Sequence, residues 1–165
     1  MIRPAQPSDT PAVVHLAINS GLFAENEAEV VRTLMDDFFA RAKAEGHSCL
    51  VDVDDDSDGA VAAGVAYVQP VAATDGTWTL LMIAVRPEQQ GRGRGSVLLS
   101  EVENQLRRQQ QRLLLVETSG VPDFARTRAF YQKAGYNAEA RVRDYYAAGD
   151  DMVLYRKDLA GPSAT

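Results

Sequence analysis

Ile83-Ala84-Val85-Arg86-Pro87-Glu88-Gln89-Gln90-Gly91-Arg92-Gly93-Arg94-Gly95-Ser96 is the stretch whose reading decides the fold. An apolar run stops at Val85. Glycines follow at alternate positions, Gly91, Gly93 and Gly95, and Val97-Leu98-Leu99 then opens a helical pattern. A glycine-rich turn between a strand and a helix exposes backbone N–H groups at the positive end of the helix dipole, a geometry that grips a pyrophosphate. Glycine permits both close ligand approach and positive φ. A bare glycine repeat is equally a flexible turn, so the setting has to narrow the choice. A nucleoside-triphosphate loop requires Gly-Lys-Ser/Thr, and this stretch holds no lysine. A dinucleotide fold places G-x-G-x-x-G at the first strand, with an acid about 20 residues on. Here the spacing is G-x-G-x-G and it falls in mid-chain.

Working outward, Thr77 to Val85 is the strand that feeds the loop, and Gly95 to Gln111 is the helix that leaves it. Leu98, Leu99, Val102 and Leu106 share one face of that helix. Upstream, Ile2-Arg3-Pro4 reads as an edge strand. Thr10-Pro11 reads as a helix N-cap followed by proline at the first helical position, with that helix ending at Gly21. Glu25 to Glu45 reads as one second helix with parallel rows Val30/Leu34/Phe38 and Val31/Met35/Phe39. Ser48 to Val53 and Val61 to Val68 are strands joined by a polar hairpin tip, Asp54-Asp55-Asp56-Ser57-Asp58-Gly59, read as a solvated turn rather than a cation site. Downstream, Leu113 to Val116 has the continuous apolar run of a central strand. Phe124 to Ala134 is a helix stopped by Gly135. Tyr136 to Val142 and Met152 to Lys157 form a last strand pair. The order is strand, two helices, three strands, helix, strand, helix, two strands, which is a mixed α/β sheet with helices packed on it.

The 165 residues suit one domain, set at 1–159, with 160–165 a fraying tail. Apolar residues make up 45% of the chain, enough for a real core. A net charge of −6 argues against a nucleic-acid partner. Neither an apolar signal core nor a run of 18 apolar residues is present, so no membrane is expected. The single cysteine, Cys49, forms no internal disulfide and suits a reducing compartment. A cytoplasmic protein is the expectation.

Gln90-x-x-Gly93-x-Gly95 resembles the acetyl-CoA pyrophosphate loop of the GCN5-related N-acetyltransferase (GNAT) family, Gln/Arg-x-x-Gly-x-Gly/Ala. Phe130-Tyr131-Gln132-Lys133-Ala134-Gly135-Tyr136 resembles the family's second signature, Leu/Phe-Tyr-x-x-x-Gly-Phe/Tyr. The element order is also that of the family, and the resemblance runs from Ile2 to Leu159. It implies a mainly antiparallel, splayed central sheet of about seven strands flanked by four helices. It implies an acetyl-CoA-dependent N-acetyltransferase acting on a primary amine of a small molecule or peptide, by direct attack in a ternary complex, with no metal. A homodimer is an assembly common among relatives.

Carried onto this chain, the resemblance places the pyrophosphate on Gln90, Gly91, Arg92, Gly93, Arg94, Gly95 and Ser96. Ile83, Ala84 and Val85 would pair with the pantetheine arm like an added strand. Tyr131 would lie by the thioester sulfur and protonate the departing thiolate, and a phenol is matched to that task by its pKa near 10. An aromatic filling a helix–sheet gap is the other reading of Tyr131.

Two departures stand out. Many relatives carry a glutamate on the strand before the loop, and Thr77 to Val85 has no acid. Glu117 is the nearest candidate base, with partial burial expected to raise its pKa. A strand-end glutamate bonded to Thr118, Arg126 or Arg128, or a water relay, explains the chain as well. The family often has asparagine seven residues before the tyrosine, where this chain has Phe124, and Thr127 and Arg128 could take over part of that contact. The segment 141–151, read as lying between the last two strands, offers Tyr145, Tyr146 and Asp150 to an amine; a plain hairpin loop is the alternative. Cys49 lies away from both motifs, so an acetyl-cysteine route is not expected. A non-catalytic acyl-CoA sensor or partner-binding module on the same fold is the competing function.

Overall fold

A computed structural model describes residues 1–56 and 59–161 of the chain, without the side chains of residues 55–61. Seven strands run in the order β1-β2-β3-β4-β5-β7-β6 in a mostly antiparallel sheet, with four α-helices. The strands are β1 (Ile2–Pro4), β2 (Ser48–Asp56), β3 (Gly59–Pro70), β4 (Thr77–Val85), β5 (Leu113–Ser119), β6 (Asn137–Ala147) and β7 (Asp150–Asp158). The helices are α1 (Thr10–Asn19), α2 (Ala28–Asp37), α3 (Arg94–Arg108) and α4 (Ala125–Lys133). The expected element order is the observed one. Of the acidic hairpin tip, Ser57 and Asp58 lie outside the described residues, as do residues 162–165 of the tail. The chain divides into two compact units, Met1–Pro70 with Met82–Asn104, and Val71–Leu81 with Gln105–Thr165.

In the first unit, β1, β2 and β3 pair antiparallel, with Arg3 opposite Val51 and Cys49 opposite Tyr67. Val13, Leu16 and Ala17 of α1 and Val31 and Met35 of α2 bury against Val51, Val65, Tyr67, Met82 and Ala84. Two expectations change here. Thr10 is the first helical residue rather than the cap. Asp9 takes the cap position at the end of a 3₁₀ turn, and its carboxylate accepts the Gln6 N–H at 2.7 Å and the Arg3 guanidinium at 2.8 and 2.9 Å. The second helix is not one α-helix. A 3₁₀ turn (Glu25–Glu27) enters it, and a π-helical turn (Phe38–Ala42) ends it. Val31, Met35, Phe38 and Ala42 are buried, Leu34 and Phe39 are partly buried against the same core, and Val30 is 57% exposed. The two rows form one broad apolar stripe with Val30 at its solvent edge.

The second side of β3 is set by Gly64, which sits opposite Asp52. A Cβ there would lie 3.3 Å from the Ala84 carbonyl oxygen and 3.4 Å from Leu98 Cδ2. Absence of a side chain lets α3 come down onto the sheet at Leu98, which is fully buried. Burying such a side chain contributes about 1.5–3 kcal/mol.

In the second unit, β4 and β5 form a short parallel ladder of Thr77–Leu80 against Leu113–Val116, and both strands run on past its last rung. Strand β5 pairs antiparallel with β7 along its whole length, from Leu113–Asp158 to Ser119–Met152, and β7 pairs with β6. The expected central strand over Leu113 to Val116 is found between β4 and β7, and its burial alternates. Leu114 and Val116 are buried, whereas Leu113 and Leu115 are half-buried. Every residue of β6 is exposed, and its register against β7 breaks twice, around Glu139 and between Val142 and Ala147. The segment 141–151 is therefore not a loop. It is the end of β6, a two-residue turn, and the start of β7.

Replacing Gly64 by valine should lower the free energy of unfolding by about 1–3 kcal/mol, the range for overpacking a filled site. The gain from removing a strand glycine, roughly 0.5–1 kcal/mol, is smaller and does not reverse the sign. Urea midpoints at constant m-value measure this, and an unshifted midpoint would show that α3 does not rest on Gly64.

Candidate active site

In the first unit the sequence Val85 to Ser96 folds as the expected loop. Pro87–Gln89 make one 3₁₀ turn, and Gln90 folds its amide back to donate to the Val85 carbonyl at 3.0 Å. Gly91 and Gly93 take φ of 74° and 83°, a region that L side chains rarely occupy. A Cβ on Gly93 would meet nothing within 4 Å, so the space over the loop is open. The Gly93 carbonyl accepts the Val97 N–H at 3.0 Å. The N–H groups of Arg94, Gly95 and Ser96 therefore precede the first intrahelical donor and stand at the positive end of a helix 15 residues long. Gly91, Arg92, Gly93 and Ser96 are exposed. This is an anion cradle built of backbone donors with one exposed guanidinium beside it.

The two arginines of the loop differ. Arg92 is exposed. Arg94 turns its guanidinium to β2, donating to Asp52 Oδ2 at 2.6 Å and to the Asp54 carboxylate. Ala84 and Val85 are buried and Ile83 is half-buried on β4. An open cleft of about 500 Å³ in this unit is lined by His15, Leu16 and Asn19 of α1 and by Arg86, Pro87 and Glu88 at the foot of the loop. Arg86 donates to the Ala62 carbonyl at 2.8 Å and holds its side chain at that wall.

In the second unit, Tyr131 sits on α4 inside an aromatic cluster. Its ring centroid lies 5.2 Å from Phe130, 5.7 Å from Tyr136 and 5.9 Å from Tyr155. The helix ends directly after it. Gly135 donates to the Gln132 carbonyl and Tyr136 to the Tyr131 carbonyl, both at 3.0 Å, a Schellman closure. That explains the spacing of the second motif: the glycine ends the helix and Tyr136 folds back against Tyr131. Burial pushes the Tyr131 phenol well above the ordinary range.

The structure gathers Glu117, Tyr145, Tyr146 and Asp150 as neighbours. Tyr145 and Tyr146 are edge-to-face at 4.9 Å, and each is about half exposed. The Tyr146 phenol is pushed up to about 12, first by burial and then by the negative charge of Glu117, with Tyr145 and Asp150 adding to it. Asp150 accepts a short bond from the Ser119 hydroxyl. Glu117 is exposed, not partly buried as expected, because it lies on the face of β5 opposite the buried Leu114, Val116 and Thr118. Nor does Arg128 hold Glu117. Its Nη1 donates to the Ser119 and Val121 carbonyls at 2.8 Å each and ties the turn after β5 to α4. Thr127, beside it, is half-buried.

Ser119, and Asp52 with Asp54, were missed from sequence. A strand-end serine carries no signal, and the two aspartates read as part of an acidic hairpin. Among the described residues no group of three or more metal-ligating side chains is formed, and no helix is long and apolar enough to cross a membrane.

The description "Acetyltransferase (GNAT) family" matches residues 15–136, a span that holds both motifs. The chain belongs to the GNAT family of acetyltransferases. A GNAT-family protein from Desulfovibrio desulfuricans is 38% identical, with 97% of this chain and 99% of that one covered and a TM-score of 0.89. The ribosomal-protein-S18-alanine N-acetyltransferase of Escherichia coli shares the fold at 22% identity, covering 100% and 98%, with a TM-score of 0.76. So does the YncA acetyltransferase of Salmonella typhimurium, solved with acetyl-CoA, at 20% identity, 100% and 98% coverage and a TM-score of 0.76. No curated protein matches the chain by sequence.

Cys49 is buried in the core and its thiol is pushed up to about 12 by burial, with the charge of Asp9 adding to it. Two outcomes follow. Native protein should not react with a thiol-specific disulfide reagent at pH 8, and unfolded protein should. The folded value is raised, so the stabilisation is complete below about pH 9 and is lost as pH rises from there toward 12. Urea midpoints taken across that window, with Cys49→Ala as the control, would show a smaller alkaline loss in the variant.

Proposed function

We infer that this acetyltransferase moves an acetyl group from acetyl-CoA to a primary amine of a small molecule or peptide, by direct attack in a ternary complex, with residues 1–159 as one catalytic domain. The observation that carries this reading is the loop: two left-handed glycines, open space above Gly93, and three helix-start N–H groups aimed outward. A diphosphate is the ligand such a cradle suits. YncA, solved with acetyl-CoA, supports the choice of donor. The pantetheine arm runs along Ile83, Ala84 and Val85. Thr127 and Arg128 flank the donor site. Tyr131 supplies the proton to the departing thiolate. The acceptor meets Tyr145, Tyr146 and Asp150, whose rings and negative charge suit an ammonium group. The reaction is that of a cytoplasmic enzyme.

The acceptor amine must shed a proton before it attacks. Glu117 takes that proton in this reading, directly or through water. A second reading, an acyl-CoA-binding module without turnover, is favoured by two observations: β4 carries no acid, and Glu117 is exposed.

The deciding experiment is release of free CoA thiol with a panel of polyamines, amino acids, aminoglycosides and peptides with a free amino terminus. Turnover on one of them carries the enzyme reading, and tight acetyl-CoA binding with no turnover on any carries the other. Gly93→Val should abolish acetyl-CoA binding by calorimetry, since the cradle needs both the left-handed backbone and the open space. At about 100 times its Kd, acetyl-CoA should add roughly 2.7 kcal/mol to stability and raise Tm, while ATP should not.

Tyr131→Phe keeps the ring cluster and removes the hydroxyl, so kcat should fall by roughly 10²–10⁴ with acetyl-CoA affinity little changed. Near-normal turnover would leave Tyr131 as packing alone. Glu117→Gln should lower kcat and move the acidic limb of the pH–rate profile. If that limb instead follows the acceptor's own pKa in both proteins, water removes the proton.

A further inference from the structure

Helix α3 has an apolar stripe toward the sheet, and its first residue interrupts that stripe. Arg94 and Leu98 stand at i and i+4, on one face. Leu98 is fully buried over Gly64, and Arg94 lies one turn nearer the loop, over the strand that pairs with Gly64. An arginine drawn into that position needs its charge answered there. Asp52, directly opposite Gly64, accepts Arg94 Nη1 at 2.6 Å and is itself buried. Asp54 accepts Nη2. Asp52 Oδ1 also lies 3.3 Å from the Met1 amino group. The guanidinium is thus held by both of its ends, which fixes direction as well as distance.

We propose that Asp52 and Asp54 are positioning residues for the pyrophosphate loop, acting through Arg94. Their bonds lock the rotation of the first turn of α3, and so the aim of the N–H groups of Arg94, Gly95 and Ser96. They also remove the Arg94 side chain from the phosphate, so the guanidinium that meets the ligand is that of Arg92. The inference rests on the reading that acetyl-CoA binds this loop. It adds two residues on a distant strand, and it reverses the role that Arg94 would have as a direct phosphate ligand.

The test is a cycle of Asp52→Asn, Asp54→Asn, Arg94→Met and the Asp52→Asn/Arg94→Met double variant, with Arg92→Ala and Gly93→Val alongside. Acetyl-CoA affinity is read by calorimetry, and KM and kcat by thiol release. Methionine keeps the length of the stem but leaves the buried Asp52 with only the Met1 amino group beside it, so Tm is read for every variant, and Asp52→Asn, which keeps an acceptor for the guanidinium, carries the test if Arg94→Met does not fold.

The expected result is a rise of about tenfold in Kd and KM for acetyl-CoA in Arg94→Met and in Asp52→Asn, with kcat unchanged, comparable to losing a supporting bond behind a binding group. The double variant should be no worse than either single one, because all act on one bond network. Arg92→Ala should multiply independently with Asp52→Asn. A direct phosphate role for Arg94 gives the opposite sign for the aspartates: Asp52→Asn would free the guanidinium and tighten binding. That result, or unchanged affinity in Arg94→Met, overturns the proposal. Gly93→Val separates the two levels. If it also leaves acetyl-CoA affinity unchanged, the loop is not the donor site and the underlying reading fails. If it abolishes binding while the Arg94 cycle is flat, only the positioning role fails.

Discussion

The close approach of α3 to β3 at Gly64 is the contact on which the loop depends. A helix start is an anion site only if something holds it in one orientation at the end of its strand. Here the hold is steric on one side and ionic on the other. Leu98 and the Ala84 carbonyl both come within contact of the position where a Cβ would be, so the helix and β4 share the same small gap. One turn earlier, Arg94 reaches the carboxylates of β2. The loop from Arg86 to Gly93 is thus anchored at both ends, by the Arg86 bond to Ala62 and by α3, and it can hold two glycines in left-handed geometry without collapsing into the open space above them.

Charge in this chain is sorted by whether it is already spent. Arg94 and Arg128 are committed to carboxylates and backbone carbonyls, and Arg141 to Asp151 at 2.8 Å. Arg92 at the loop is exposed. On the acidic side, Asp150 is engaged by Ser119, whereas Glu117 bears on the Tyr146 phenol. A net charge of −6 gives no hint of this division. An unspent cation over a backbone cradle suits an anion, and an unspent carboxylate among exposed aromatic rings suits a cation. Those are the two ends of the proposed reaction.

Much of this was legible because it rests on local rules. Glycine spacing, the apolar stripe of α3, and the Gly135 stop are each written within one element, and the element order follows from their sum. What failed depended on neighbours far away in sequence. The two rows of the second helix both pack on the core, and only the sheet decides that Val30, at the edge of the stripe, is left exposed. Glu117 was expected to be partly buried, and it is exposed because it lies on the face opposite Leu114, Val116 and Thr118. Arg141 to Asp151 looked like a loop because its composition is polar. Pairing with β7 makes it strand, and the register breaks there absorb the residues that do not alternate. Arg94 stands in the motif, and no local rule could have tied its side chain to Asp52, 42 positions away.

The buried tyrosine and the exposed glutamate ask different things of their surroundings. A proton donor must stay protonated until the leaving group needs it. The cluster of Phe130, Tyr136 and Tyr155 around Tyr131 raises the cost of phenolate by excluding water, and the same burial makes the phenol a weaker acid, a cost the proposed donation to a thiolate has to meet. A proton acceptor for an amine has the reverse need, access to bulk water, because the proton must leave the site each cycle. A glutamate on the covered face of β5 would be poorly placed for this, and the alternation of that strand puts Glu117 on the other face. Strand β4 is apolar from Leu80 to Val85, and the acid of β5, Glu117, bears on the Tyr146 phenol. In the proposed reaction, capture of the ammonium and removal of its proton are two separable tasks, and a single exposed carboxylate suits the first even where water completes the second.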